Sequence, residues 1–242
     1  MTDDLVELLG QLKLYRIRDI LDRELKKTTS KKPPSYSEFL ATLLREETID
    51  KRERRTQNRI RQARLPEAWS LESFPFDKQP SLAASVIYEL AELEFIPKAQ
   101  NLVFIGGTGV GKTGISISLL RKALQNGYRG LFIKAQDLFD HMYTSLADHS
   151  TRTYINHLAN LDLLLIDEMG YLNLRPEQAN IFFKLMEERY HRKSTIITTN
   201  LEYDDWYGFL GNKLMVEALL SRLRHHCHTV RIDGQDLREP MS

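Results

Sequence analysis

Eight residues, Gly106-Gly107-Thr108-Gly109-Val110-Gly111-Lys112-Thr113, stand between the apolar run Leu102-Val103-Phe104-Ile105 and a segment that reads as a helix to about Asn126. They fit the pattern G-x-x-x-x-G-K-[ST] in full, in the strand-to-helix setting that gives the pattern its meaning. Glycines let the backbone turn tightly enough for its N–H groups to face one anion. The helix starting near Gly111 adds its positive N-terminal end. Such a loop cradles the phosphates of ATP. In such a loop Lys112 is expected to reach the β- and γ-phosphates and the Thr113 hydroxyl to bind magnesium.

The strand and helix around this loop belong to a longer alternation. Apolar strands are expected at Gly130–Lys134, Asp162–Asp167, Ser194–Thr199 and His228–Ile232. Helices are expected at Leu82–Leu93, about 136–147, 151–159, Pro176–His191 and Val216–His225. Strands apolar on both faces, alternating with helices, indicate an α/β fold with a parallel sheet covered on both sides. Before residue 65 the pattern is helical only. Leu5, Leu8, Leu9, Leu12, Ile17, Ile20 and Leu21 recur at three- and four-residue spacings over 3–27. Lys31, Lys32, Pro33 and Pro34 break that helix. Ser37 is the expected cap of a second helix running to about Arg64, with Phe39, Leu40, Leu43 and Leu44 on its apolar face. The organisation read from this is a small all-helical domain over 1–65, a linker over 66–80 partly packed on the next domain, and an α/β domain over 81–242.

Composition narrows the class. Apolar residues make up 42% and charged residues 28% of the 242-residue chain, enough for one sizeable core. No apolar run approaches the ~20 residues that span a bilayer, and the acidic start reads as no signal peptide. Cys227 is the only cysteine, which excludes an intrachain disulfide and a Cys-based zinc cluster. These features fit a reducing cytoplasm. Residues 1–64 carry 16 Lys and Arg against 11 Asp and Glu, while the remainder carries 18 against 22. A basic N-terminal piece on a slightly acidic body suggests an anionic partner.

The strand Asp162-Leu163-Leu164-Leu165-Ile166-Asp167-Glu168 ends in two carboxylates, at the sheet edge where open α/β folds bind ligands. Asp167 is read as holding magnesium through water, and Glu168 as the general base that polarises the attacking water. The next strand ends in Asn200, which either orients that water or serves as a turn residue. Gly114, in the first turn of a helix, leaves room near the nucleotide at a helical cost of up to ~1 kcal/mol.

Together these residues resemble the AAA+ ATPases, and more closely the IstB-like helpers of bacterial transposition, relatives of the DnaC-type helicase loaders. The segments that carry the resemblance are the phosphate loop, Asp167-Glu168-Met169-Gly170-Tyr171-Leu172, Thr198-Thr199-Asn200-Leu201, the Trp206 segment and Ala218-Leu219-Leu220-Ser221-Arg222-Leu223. The resemblance implies a five-stranded sheet with no C-terminal lid domain. It implies Asn200 as the first sensor and Arg222 as an arginine finger reaching a neighbouring subunit's γ-phosphate, with Arg224 as the alternative. Arg238 falls near a second sensor, although Asp236-Leu237-Arg238 departs from the Ser-Tyr-Arg of loader-type members. The implied protein is a homo-oligomeric ATPase that assembles on double-stranded DNA and recruits or stimulates a transposase. A helicase loader and an ATP-switched scaffold with little turnover are the alternatives.

Two clusters remain. Lys51-Arg52-Glu53-Arg54-Arg55, followed by Arg59, Arg61 and Arg64, forms a basic helix on which Lys51, Arg52, Arg55 and Arg59 are the expected DNA contacts. Such a stripe gives salt-dependent, sequence-independent binding, and a solvated helix face is the other reading. His225, His226 and His228 crowd around Cys227. A metal site needs three or four converging ligands and the sequence displays no further partner, so the cluster reads as a polar edge.

Overall fold

The computed structural model describes residues 3–29, 33–170 and 172–238. Ser30–Lys32 in the expected interhelical break, and Tyr171 in the acidic-pair segment, lie outside these. The chain divides into two compact units, Met1–Asn58 and Arg59–Ser242.

In the first unit the expected helix over 3–27 is two helices, α1 (Asp3–Gln11) and α2 (Tyr15–Thr28). Lys13 takes a left-handed backbone (φ 54°). The Leu14 and Lys13 N–H groups bond back to the Leu9 and Gly10 carbonyls at 2.8 and 3.0 Å. This is a Schellman stop built without the glycine that usually announces one. The N-terminal turn of α2 is satisfied from far away. Glu47, 3% exposed, accepts the Ile17 N–H at 3.0 Å, placing a carboxylate at a helix N-terminus. The third helix, α3 (Tyr36–Gln62), is capped by Ser35, not Ser37. Glu38 accepts from the Ser35 N–H and hydroxyl, both at 2.8 Å, and the Glu38 N–H returns to Ser35 Oγ at 3.3 Å. These reciprocal bonds form a capping box. Leu9, Ile17, Ile20, Leu21 and Leu43 form the unit's small core, while Leu8, Leu12, Leu40 and Leu44 stay exposed.

The second unit starts at Arg59, inside the last turn of α3, so its boundary precedes residue 65. Within 66–80, Leu71 and Phe74 are buried in this unit's core, as is Ala63 just past the end of α3, and Trp69 packs against that core. A short helix, α4 (Ala84–Leu90), comes next. The sheet comprises β1 (Asn101–Gly106), β2 (Gly130–Lys134), β3 (Leu163–Met169), β4 (Ser194–Thr199) and β5 (Cys227–Ile232). All pairings are parallel, in the order β2-β3-β4-β1-β5. The remaining helices are α5 (Lys112–Gln125), α6 (Ala135–Ala147), α7 (Thr151–Ala159), α8 (Pro176–Arg189), α9 (Trp206–Leu210) and α10 (Lys213–His225).

The period-2 geometry of a strand divides the apolar runs between two cores. Val103, Ile105, Leu164, Ile166 and Ile197 join α6, α8 and α10 on one face. Leu102, Phe104, Leu163, Leu165 and Ile196 join α4 and α5 on the other. Helix α8 is anchored to the sheet by Arg189, 1% exposed. Its guanidinium donates to Leu158 O at 2.6 Å, Leu161 O at 2.9 Å, Thr195 Oγ1 at 2.9 Å and Ser194 O. Because β4 lies between β1 and β3, its C-terminal end separates the loop after β1 from the acidic pair ending β3.

Candidate nucleotide-binding site

The loop after β1 folds as its glycines require. Gly109 and Gly111 have φ of 80° and 97°, conformations that side chains resist. A Cβ on Gly111 would also meet the Phe74 ring at 2.6 Å. Gly111 is the N-cap of α5, so the helix's unpaired N–H groups open onto the loop. The segment after β5 folds back against this loop, with the Leu237 N–H bonded to Gly109 O at 3.0 Å. The Lys112 ammonium rests on the Gly106 and Gly107 carbonyls at 2.8 and 2.5 Å. Burial lowers its pKa, with Asp167 pulling the other way and Arg238 adding to the lowering.

Asp167 is 2% exposed. Its Oδ1 accepts from Thr113 Oγ1 at 2.8 Å and from Thr198 Oγ1 at 2.6 Å. Burial raises its pKa above the ordinary carboxylate value, against the pull of these two bonds. The buried carboxylate has no ion-pair partner among the described residues. Hard oxygen donors from Thr113 and Asp167 suit a small oxygen-loving cation such as magnesium. Glu168, the next residue, turns outward on a left-handed backbone (φ 59°) where the β3–β4 register shifts. Such a conformation in a non-glycine residue is strained and concentrates at functional sites. The Glu168 N–H bonds to Thr198 Oγ1 at 2.9 Å, and its carboxylate lies 3.2 Å from Lys134 Nζ, both side chains being about half exposed.

The fold brings together Gly109, Gly111, Lys112, Thr113, Asp167, Glu168, Asn200 and Arg238, which with Thr108 line one cavity of about 590 Å³. Thr198, Lys134 and Trp69 line it too, and sequence reasoning assigned none of them a role. The Trp69 indole accounts for Gly114, since a Cβ there would meet it at 3.1 Å. Phe74 belongs to the core beside the loop. Arg222 lies outside this cavity. It projects from α10 toward α8, 3.5 Å from Glu187 and over the Tyr190 ring at 5.9 Å. Arg224 lies over Tyr203 at 4.8 Å. Helix α10 runs to the N-terminal edge of the sheet, and the phosphate loop leaves from the C-terminal edge, ~16 Å of strand away.

On the basic helix, Arg52 and Arg55 are exposed, while Lys51 lies 3.5 Å from Glu47. Arg59 has a packing role, with Nε donating to Leu124 O at 2.9 Å in the last turn of α5. No helix among the described residues is long and apolar enough to cross a membrane.

A five-stranded parallel sheet with its phosphate loop after β1 and a buried acid at the end of β3 defines a P-loop nucleotide-binding protein of the AAA+ class. More narrowly, the chain belongs to the IstB-like ATP-binding protein family, which it matches over residues 7–241. It is 34% identical to the insertion sequence IS21 putative ATP-binding protein of Pseudomonas aeruginosa, covering 97% of this chain and 88% of that protein. It is likewise 34% identical to the IS5376 counterpart of Geobacillus stearothermophilus, covering 84% of this chain and 81% of that protein. In fold it is similar to a DnaC helicase loader, with a TM-score of 0.58 and 24% identity over 68% of this chain and 96% of that one. A replication initiator DnaA bound to AMPPCP and single-stranded DNA gives a TM-score of 0.60 and 23% identity, over 72% and 53%.

Proposed function

We propose that this chain is a magnesium-dependent ATPase that assembles on double-stranded DNA and recruits or stimulates a transposase, with hydrolysis resetting the assembly. The observation that carries this reading is the bonding around Asp167. One buried carboxylate oxygen joins the phosphate-loop Thr113 to Thr198 of β4, and Glu168 stands at the cavity rim beside it. Lys112 and the loop N–H groups bind the β- and γ-phosphates. Thr113, and Asp167 through water, would hold magnesium, which when bound would offset the negative charge of the phosphate oxygens. Glu168 takes a proton from the water that attacks the γ-phosphorus, and the bond to the β–γ bridging oxygen breaks to give ADP and phosphate. Asn200 orients that water, and Arg238 adds positive charge at the same rim.

Arg222 faces away from its own subunit's cavity, which supports its acting on a neighbour's ATP and so makes oligomerisation part of turnover. Association with an insertion sequence is carried in the names of the relatives, which supports a transposase partner. The likeness to a helicase loader is one of fold, so the loader reading stands second.

The test measures fluorescence anisotropy of a labelled duplex with ATP, ADP or no nucleotide across a salt series, alongside phosphate release. ATP is expected to tighten binding, salt to weaken it and duplex DNA to accompany turnover. Duplex binding indifferent to both salt and nucleotide overturns the DNA reading. ATP binding without phosphate release favours the scaffold.

A further inference from the structure

The fold supplies the partner that the histidine-rich segment lacks in sequence. His191 sits in the turn between α8 and β4, on a left-handed backbone (φ 57°). His225 ends α10 and His226 is the residue after it. Chain reversal at the N-terminal edge of the sheet brings the three imidazoles together. Ring centroids are 4.1 Å apart for His191 and His226, 4.5 Å for His225 and His226, and 6.1 Å for His191 and His225. One ring nitrogen from each lies within 4.8 Å of the other two.

We propose that His191, His225 and His226 form a binding site for a divalent transition-metal cation of the zinc class, distinct from the magnesium site at Thr113 and Asp167. Imidazole nitrogen is a preferred donor for zinc, cobalt and nickel and a poor one for magnesium. Three nitrogens at ~2.0–2.1 Å from one tetrahedral ion lie ~3.4 Å from each other. Side-chain rotation at two exposed residues and one half-buried one closes the remaining gap. Three protein ligands leave a fourth position open to solvent.

None of the three histidines pairs with a carboxylate among the described residues, so nothing there offsets their mutual repulsion if they are protonated. The Tyr190 ring packs on His191 at 4.0 Å and limits its orientation. His228 is not part of the cluster, for it meets Gln100 at 3.1 Å. A bound ion would pin the α8–β4 turn to the end of α10.

The test titrates the intact nucleotide-free chain with cobalt(II), following visible absorption, and with zinc(II) by calorimetry, each in excess magnesium. One equivalent is expected, with the intense absorption of low-coordinate cobalt, undisplaced by magnesium. His225→Ala and His191→Asn, the latter chosen because Asn tolerates a left-handed backbone, should each weaken binding at least ~10- to 100-fold. His228→Ala should bind as the parent does. Melting without metal confirms that the exposed-site variants fold. No saturable binding by the parent, equal binding by the cluster variants, or displacement by magnesium overturns the proposal.

Discussion

The Thr198 hydroxyl lies 2.6 Å from Asp167 Oδ1 and donates its proton to it. Thr198 Oγ1 in turn accepts the Glu168 N–H at 2.9 Å, so one side chain of β4 fixes both the buried acid and the backbone of the strained residue after it. Thr198→Val keeps the shape and removes both bonds. The orphaned Glu168 N–H should cost ~1–3 kcal/mol of stability. Phosphate release should fall more than ATP affinity, since the loop is untouched. Thr198→Ser should restore both. Urea unfolding and turnover on the three proteins check this, and a Val variant with full turnover removes Thr198 from the site.

Asp167 carries a stability cost that its ligands relieve. Its folded pKa is raised above 3.8 by burial. A carboxyl with a raised folded pKa contributes stability that is complete below the unfolded value and is lost as pH rises through the folded one. At neutral pH the ionised group therefore weighs against the apo fold. Asp167→Asn should remove that pH slope and leave the nucleotide-free chain at least as stable at neutral pH, while abolishing magnesium-dependent turnover. Unfolding at acid and neutral pH without nucleotide reads the sign directly. A variant clearly less stable at neutral pH contradicts it.

Trp69 and Gly114 make a local reporter. The chain has two tryptophans, and Trp206 is fully buried in the core on the other face of the sheet. A nucleotide-induced change in tryptophan emission should therefore come from Trp69 and vanish in Trp69→Phe. Gly114→Ala adds a methyl group 3.1 Å from the indole, so emission should shift without nucleotide and ATP affinity should fall. The gain of up to ~1 kcal/mol in helix propensity should offset much of the crowding, leaving the melting temperature nearly unchanged.

Where the chemistry is local, the sequence displays it. The phosphate loop needs glycines and a lysine at fixed spacing, and the strands β1 to β3 carry apolar runs, so Gly106–Thr113, Asp167 and Glu168 are legible as residue types at fixed spacing. Where a group is satisfied from a distance, nothing local marks it. The stop at Lys13 has no glycine, and the start of α2 is capped by Glu47, thirty residues on, so 3–27 reads as one helix. Thr198 is one threonine among several until the sheet order sets β4 beside β3. His191 joins His225 and His226 only because α8 and α10 end at the same edge. Residues 66–80 have linker composition, and only their packing beside α5 reveals their place.

Arg55 and Arg59 of the basic stripe should separate by readout. Arg52 and Arg55 make no ion pair among the described residues, so Arg55→Ala should lower the slope of log affinity against log salt by ~1 and leave stability unchanged. Arg59→Ala deletes the bond to Leu124 O and should lower the melting temperature. Equal, purely thermal effects from both would mean that the stripe is scaffold and not a DNA surface.

Arg222 gives the most demanding test of assembly. If its guanidinium serves a neighbour's ATP, Arg222→Ala should bind ATP nearly as the parent does yet lose ~10³-fold or more of its turnover, the scale of such fingers. Glu168→Gln should also be inactive, by losing the base while keeping its arginine. In a mixed assembly some interfaces would join an intact Glu168 site on one subunit to an intact Arg222 on the next. Mixing the two inactive proteins should therefore restore phosphate release, with a maximum at an intermediate ratio. The paired variant Arg222→Ala/Glu168→Gln mixed with Arg222→Ala should restore nothing, because no Arg222 is present. Recovery in the first mixture alone places the arginine in trans. Activity in neither mixture, with assembly on DNA shown intact, sends the search to Arg224, two residues further along the same helix.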